Sequence, residues 1–136
     1  MLKKIGIPLA AAGAGLALMA APAHAGTWYP TGWPQHAYTS DNAGEGAFQA
    51  EGDWFMANDI GEDRKSAVTR WETNYGRSGE CKATGGAFTG REQCNENLDE
   101  DYKVRIKVCL RNYSNDIGWE NCSTWTPWLS IATGNA

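Results

Sequence analysis

The strongest pattern in the chain is a strict alternation from Tyr102 to Arg111. Val104, Ile106, Val108 and Leu110 fall on one side, and Lys103, Arg105, Lys107, Cys109 and Arg111 on the other. That is the period of a strand with one buried and one wet face. Turn chemistry follows at Ser114-Asn115-Asp116-Ile117-Gly118. Trp119 to Trp128 is then expected to return as an antiparallel partner, until Pro127 weakens it. With Asn115-Asp116 at the centre of the turn, Cys109 stands opposite Cys122, Val108 opposite Ser123 and Ile106 opposite Trp125. This register puts Trp119 and Trp125 on the apolar face and the cysteines on the cationic one. A slip of one residue would send Trp125 to the wet side.

Upstream, Phe48, Ala50 and Trp54-Phe55-Met56-Ala57 precede the acidic turn Asn58 to Asp63, and Ser66 to Thr73 is rich in β-branched and aromatic residues. The order is strand, turn, strand. The stretch from Asn74 to Asn97 holds too many glycines for a helix interior. It is expected to be a long loop, or two short strands and a turn, pinned by Cys81 and Cys94. Gly26 to Ala47 is dense in Gly, Pro, Ser and Thr and keeps no period, so residues 26–47 are expected to form an irregular arm with room for a short edge strand. The domain proper is then 48–136. No stretch shows a capped helical stripe, and the expected class is all-β: a small disulfide-stabilised β-sandwich or open barrel with antiparallel hairpins.

The first 25 residues change the picture of where the protein goes. Lys3 and Lys4, an uncharged run from Ile5 to Ala23 and a closing Ala23-His24-Ala25 have the three parts of a secretory signal, with cleavage expected after Ala25 and the protein secreted. The run is only mildly apolar, and no stable membrane span is expected. All four cysteines lie beyond it, and an even number in a small exported chain reads as disulfides. Register pairs Cys109 with Cys122, and elimination and proximity leave Cys81 with Cys94. The closest two are too far apart in sequence for the usual zinc spacing, so no metal and no cofactor are expected.

Charge and composition narrow the chemistry further. With Lys+Arg 12 against Asp+Glu 16, the chain lacks the basic balance that duplex binding demands, and no nucleic-acid partner is expected. His36, the one histidine beyond the leader, sits in the Pro-rich arm and reads as a solvated side chain, which removes a Ser-His-Asp site. Asp53, Asp59, Glu62, Asp63 and the run Glu96 to Asp101 read as solvated turn acids rather than a catalytic pair; Asp59, Glu62 and Asp63 offer hard oxygen ligands for calcium in one turn, without the spacing of an EF-hand loop. The seven tryptophans are far above ordinary usage. Trp54, Trp71, Trp119 and Trp125 lie on expected strands and read as core. Trp28, Trp33 and Trp128 flank prolines and are the candidate ligand-binding residues, forming a platform for a sugar polymer or a protein.

From Ser66 to Cys81 (SAVTRWETNYGRSGEC), through Gln93-Cys94-Asn95 and on from Val104 to Trp125 (VRIKVCLRNYSNDIGWENCSTW), the chain resembles a set of small secreted, Streptomyces-like actinobacterial four-cysteine proteins of unknown function. The resemblance implies a shared framework of cysteines, glycines and tryptophans and no activity. A secreted, non-enzymatic binding or interaction module is therefore expected, its ligand a cell-wall polysaccharide or a protein. The alternative is an inhibitor or effector acting on a protein through the Cys81–Cys94 loop.

Overall fold

A computed structural model describes residues 36–115 and 117–136, and among them eight strands and no helix form two antiparallel sheets. In the first sheet, β1 (His36–Tyr38), β2 (Gly44–Gln49), β3 (Trp54–Asp59) and β6 (Arg91–Asn95) lie in the order β1-β2-β3-β6. In the second, β4 (Ser66–Thr73), β5 (Ser78–Ala83), β7 (Lys103–Arg111) and β8 (Leu129–Ser130) lie in the order β5-β4-β7-β8. The sheets pack face to face as a sandwich, β2 and β3 against β4 and β7. Among the described residues no helix is long and apolar enough to cross a membrane.

The alternation in β7 builds the second sheet as the sequence predicts. Val104, Ile106, Val108 and Leu110 are fully buried, and β7 pairs with β4 from Ser66↔Arg111 to Thr73↔Val104. Facing them, Phe48 and Phe55 of the first sheet lie 5.0 Å apart between ring centroids, and Trp71 stacks on Phe55 at 4.9 Å and 10°. Such ring pairs add about 0.5–1.5 kcal/mol each beyond the area they bury.

One hydrogen bond crosses between the sheets in the middle of this core. Thr69 Oγ1 on β4 donates to the Met56 carbonyl on β3 at 2.6 Å, with Thr69 completely buried. The hydroxyl can take this position only if the strand beside β3 carries no side chain there. Gly46 of β2 supplies that gap: a Cβ at its position would lie 2.3 Å from Thr69 Oγ1. The same constraint corrects the expected arm. Residues 36–47 belong to the domain, with His36–Tyr38 as an edge strand and Gly44–Gln49 as an interior one. The glycines that look like loop composition are there because the sheets come close. Residues 26–35, with Trp28 and Trp33, and the expected leader lie outside the described residues.

The Gly-rich stretch Asn74–Asn97 takes the two-strand form, but β5 and β6 sit in different sheets. Cys81, facing inward from β5, joins Cys94 of β6 and closes one side of the sandwich. On the other side the Ser40 N–H donates to the Asn121 carbonyl at 3.0 Å, and Asn121 Nδ2 donates to Asp41 Oδ2 at 2.9 Å.

Gly46→Ala forces a methyl group against the Thr69 hydroxyl and should cost about 1–3 kcal/mol, as overpacking a filled core does. Urea unfolding should show a lower midpoint at unchanged slope; an unchanged midpoint would mean that the sheets can separate there freely.

Candidate binding face

The outer face of the second sheet concentrates the chain's positive charge. Parity along the ladders places Arg70 and Glu72 of β4, Glu80 and Lys82 of β5, and Lys103, Arg105, Lys107 and Arg111 of β7 on the side away from the core. Half of the twelve Lys and Arg residues thus stand on these three strands, against Glu72 and Glu80 of the sixteen acids. On β7 alternation alone decides this, because the inward positions are taken by Val104, Ile106, Val108 and Leu110.

The segment after β7 brings aromatic rings to the same face, by a route the alternation does not predict. Leu110 and Glu120 exchange backbone hydrogen bonds of 2.9 Å, Ser123 N–H donates to the Val108 carbonyl at 2.8 Å, and Thr126 N–H to that of Ile106 at 2.8 Å. The next pair is Val104↔Leu129. The return segment therefore spends three residues for every two of β7, one extra at each step, and a regular ladder cannot form. Hydroxyls replace the missing carbonyls: Ser123 Oγ and Thr126 Oγ1 accept the Val108 and Ile106 N–H groups, each at 3.0 Å.

This corrects two expectations with one cause. Trp119 to Trp128 is not a strand, and Thr126 rather than Trp125 lies against Ile106. With Glu120, Ser123 and Thr126 turned to the strand, the residues three apart at Trp119, Cys122, Trp125 and Trp128 lean over the cationic face. Trp119 and Trp125 are half-buried there instead of in the core. Cys122 bonds to Cys109 in the middle of the row, and Cys109 and Val68 beneath are fully buried.

Cations and rings then alternate along the face. Arg70 and Arg111 lie 4.5 and 4.9 Å from the Trp119 ring centroid. Arg105 and Lys107 each lie 4.7 Å from that of Trp125, and Arg105 is also 4.6 Å from Trp128. Tyr113 takes Arg111 at 5.3 Å and Lys82 at 5.5 Å. Arg105 also grips Glu72, its Nε 2.7 Å from Oε1 and its Nη2 on the same oxygen. A shallow groove of about 420 Å³ runs beside the array between Arg70, Glu72, Glu80, Lys82 and Trp125.

Of the residues singled out from the sequence, Trp128 is on this face, while Trp28 and Trp33 lie outside the described residues. Trp71 alone of the four expected core tryptophans is buried in the core; Trp54 is half-buried on the outer side of β3. His36 is not a solvated arm residue. Its Nδ1 lies 2.8 Å from Oε1 of Glu45, a nearly buried carboxylate that also accepts from Asn58 Nδ2 at 3.1 Å. A buried charge needs such partners, and the contact ties β1 to β2 and β3.

Among the described residues no group of three His, Cys, Asp or Glu side chains is placed to hold a metal ion. In the acidic turn, Asp59 is nearly buried, and burial pushes its carboxyl above the usual range; the Gly61 N–H opposes this at 3.3 Å and the Asp63 charge reinforces it. The Cys81–Cys94 loop presents Phe88, 68% exposed, in a left-handed conformation at φ 60°, its N–H tied to the Asp59 carbonyl at 3.0 Å. Comparison with protein-family models, curated proteins and solved structures finds no match to this chain.

The two classes of tryptophan should separate in unfolding experiments. Trp71→Ala should cost about 3–5 kcal/mol as a core deletion, whereas Trp125→Ala should cost only about 1–2 kcal/mol, the value of exposed cation–π contacts. Equal losses would return Trp125 to the core.

Asp59 generates a pH dependence. With its folded pKa raised, the folded chain holds a proton that the unfolded chain has already released, so stability falls as pH rises through the window between the two values. Asp59→Asn keeps the acceptor for Gly61 and removes the charge. It should raise Tm at neutral pH, by an amount that shrinks as pH falls toward the ordinary carboxylate value of about 4. A Tm gain independent of pH would remove the buried charge as its cause.

Proposed function

We propose that the protein is a secreted, non-enzymatic binding module that captures an extended polymer along the outer face of its second sheet. The carrying observation is the linear array itself. Rings from Trp119, Trp125 and Trp128 alternate with Arg and Lys side chains along β7, a row about 27 Å long at strand rise. A groove for a compact molecule would converge, whereas this face is long and shallow, the shape that suits a chain. The leader pattern supports export, and two disulfides fit an oxidising compartment.

A second reading keeps the disulfide-closed loop as a protein-binding element, favoured by the exposure of Phe88 at its tip. Its left-handed backbone departs from the extended form that pairs with a protease cleft, so the face is preferred. Pull-down of the purified protein by insoluble cell-wall polymer, and separately by culture-supernatant proteins, distinguishes them. Capture by polymer should weaken by about 1–3 kcal/mol for Trp128→Ala, the range of a binding hot spot, and be indifferent to Phe88→Ala. Protein capture abolished by Phe88→Ala alone would establish the second reading, and failure of the wild type to bind either material would defeat both.

A further inference from the structure

Resting on that reading, we infer that the polymer is an acidic polysaccharide, its carboxylates met by cations that the tryptophans hold in position. The charge distribution is the first support. The chain is net −4, yet this face carries six cations against two acids on its strands. Arg70 stands directly opposite Lys107 in the ladder, a like-charge pair that costs stability. Among the described residues Arg70, Lys103 and Lys107 form no ion pair. The like-charge pairing without carboxylate partners works against folding, whereas a negatively charged ligand would relieve it.

The rings supply the second support. An indole with a guanidinium lying on it has that face occupied, and is a poor stacking platform for a sugar or a base. The cation, however, gains a fixed orientation, because the stacked guanidinium keeps its N–H edge free for an oxyanion in its own plane. Arg105 displays the result within the molecule: its guanidinium carbon lies over the Trp125 and Trp128 rings, and its Nε and Nη2 still reach the Glu72 carboxylate. Trp119, Trp125 and Trp128 are positioning residues in this scheme, and holding the long cationic side chains in advance lowers the entropy lost on binding. Single-stranded nucleic acid is the less suitable polyanion, since its capture relies on open aromatic faces for the bases.

Immobilised polygalacturonate, neutral dextran and oligothymidylate test this with the wild-type protein. Polygalacturonate alone should retain it, and raising salt from about 50 to about 500 mM should weaken binding at least about tenfold. Lys107→Gln should lower both the affinity and the steepness of the salt dependence. Trp125→Leu should lower affinity about tenfold with the salt dependence preserved, because the charges remain but are no longer held. The melting temperatures of both variants accompany the binding curves, and Lys107→Gln, a surface change, keeps the test open if Trp125→Leu unfolds. Salt-independent retention on dextran would overturn the acidic ligand and leave the polymer-binding module standing. Retention on oligothymidylate alone would replace the polysaccharide with nucleic acid, and retention on none of the three would defeat both proposals. A Trp125→Leu protein that binds like wild type would remove the positioning role.

Discussion

A segment that advances three residues while its neighbour advances two cannot share a ladder with it, and this mismatch beside β7 determines what the second sheet displays. In a regular hairpin the return strand would send alternate residues inward, and Trp119 and Trp125 would enter the core. Here each step carries one surplus residue, and Glu120, Ser123 and Thr126 meet the strand while Trp119, Cys122, Trp125 and Trp128 turn outward. Cys109–Cys122 holds the two spacings in phase between the Leu110–Glu120 and Val108–Ser123 contacts. Closing so short a loop contributes about 3 kcal/mol in the chain-entropy picture, and it compensates a backbone that has traded carbonyl partners for hydroxyls.

The two disulfides consequently do different work. Cys81–Cys94 lies among the inward-facing side chains and joins the edge strands of opposite sheets, so it belongs to the sandwich. Cys109–Cys122 lies on the far side of β7, over Val68, and belongs to the face. The core proper is complete without it: Phe48, Phe55, Trp71 and the inward residues of β7 pack around the Thr69–Met56 hydrogen bond. Residues of the face other than this disulfide can therefore vary in identity at modest cost to the fold, the condition under which a surface can be specialised for a ligand.

Much of this was legible in the sequence where a period of two governs. The strand Lys103 to Arg111 and the Cys109–Cys122 pair follow from it, while the strand Ser66–Thr73 follows from its β-branched and aromatic residues and Cys81–Cys94 from elimination and proximity. Two features escaped for definite reasons. Gly44 and Gly46 look like loop residues unless it is known that another sheet comes within contact of them, and that is a tertiary fact. Under a period of two the return segment reads as a partner strand of β7, although Trp119, Cys122, Trp125 and Trp128 recur every third residue. A repeat of three carries no signal when only periods of 2 and 3.6 are sought. His36 reads as a loop residue for the first reason, since its partner Glu45 lies across a hairpin hidden in glycine-rich sequence.

Charge segregation and the mismatch depend on one another. Without the surplus residues, the outward positions of β7 would form a bare row of like charges spaced about 7 Å apart, stable only through solvation. With them, a ring is delivered beside nearly every cation, and long side chains that would wander in water are ordered against indole faces. The ordering has a cost in rotamer entropy that cation–π contacts of about 0.5–1 kcal/mol each offset only in part at an exposed surface. Glu72 offsets more of it at Arg105 alone. At Arg70 and Lys107 no carboxylate among the described residues does so, and the ordered positive charge there is complementary to an acid that none of those residues supplies.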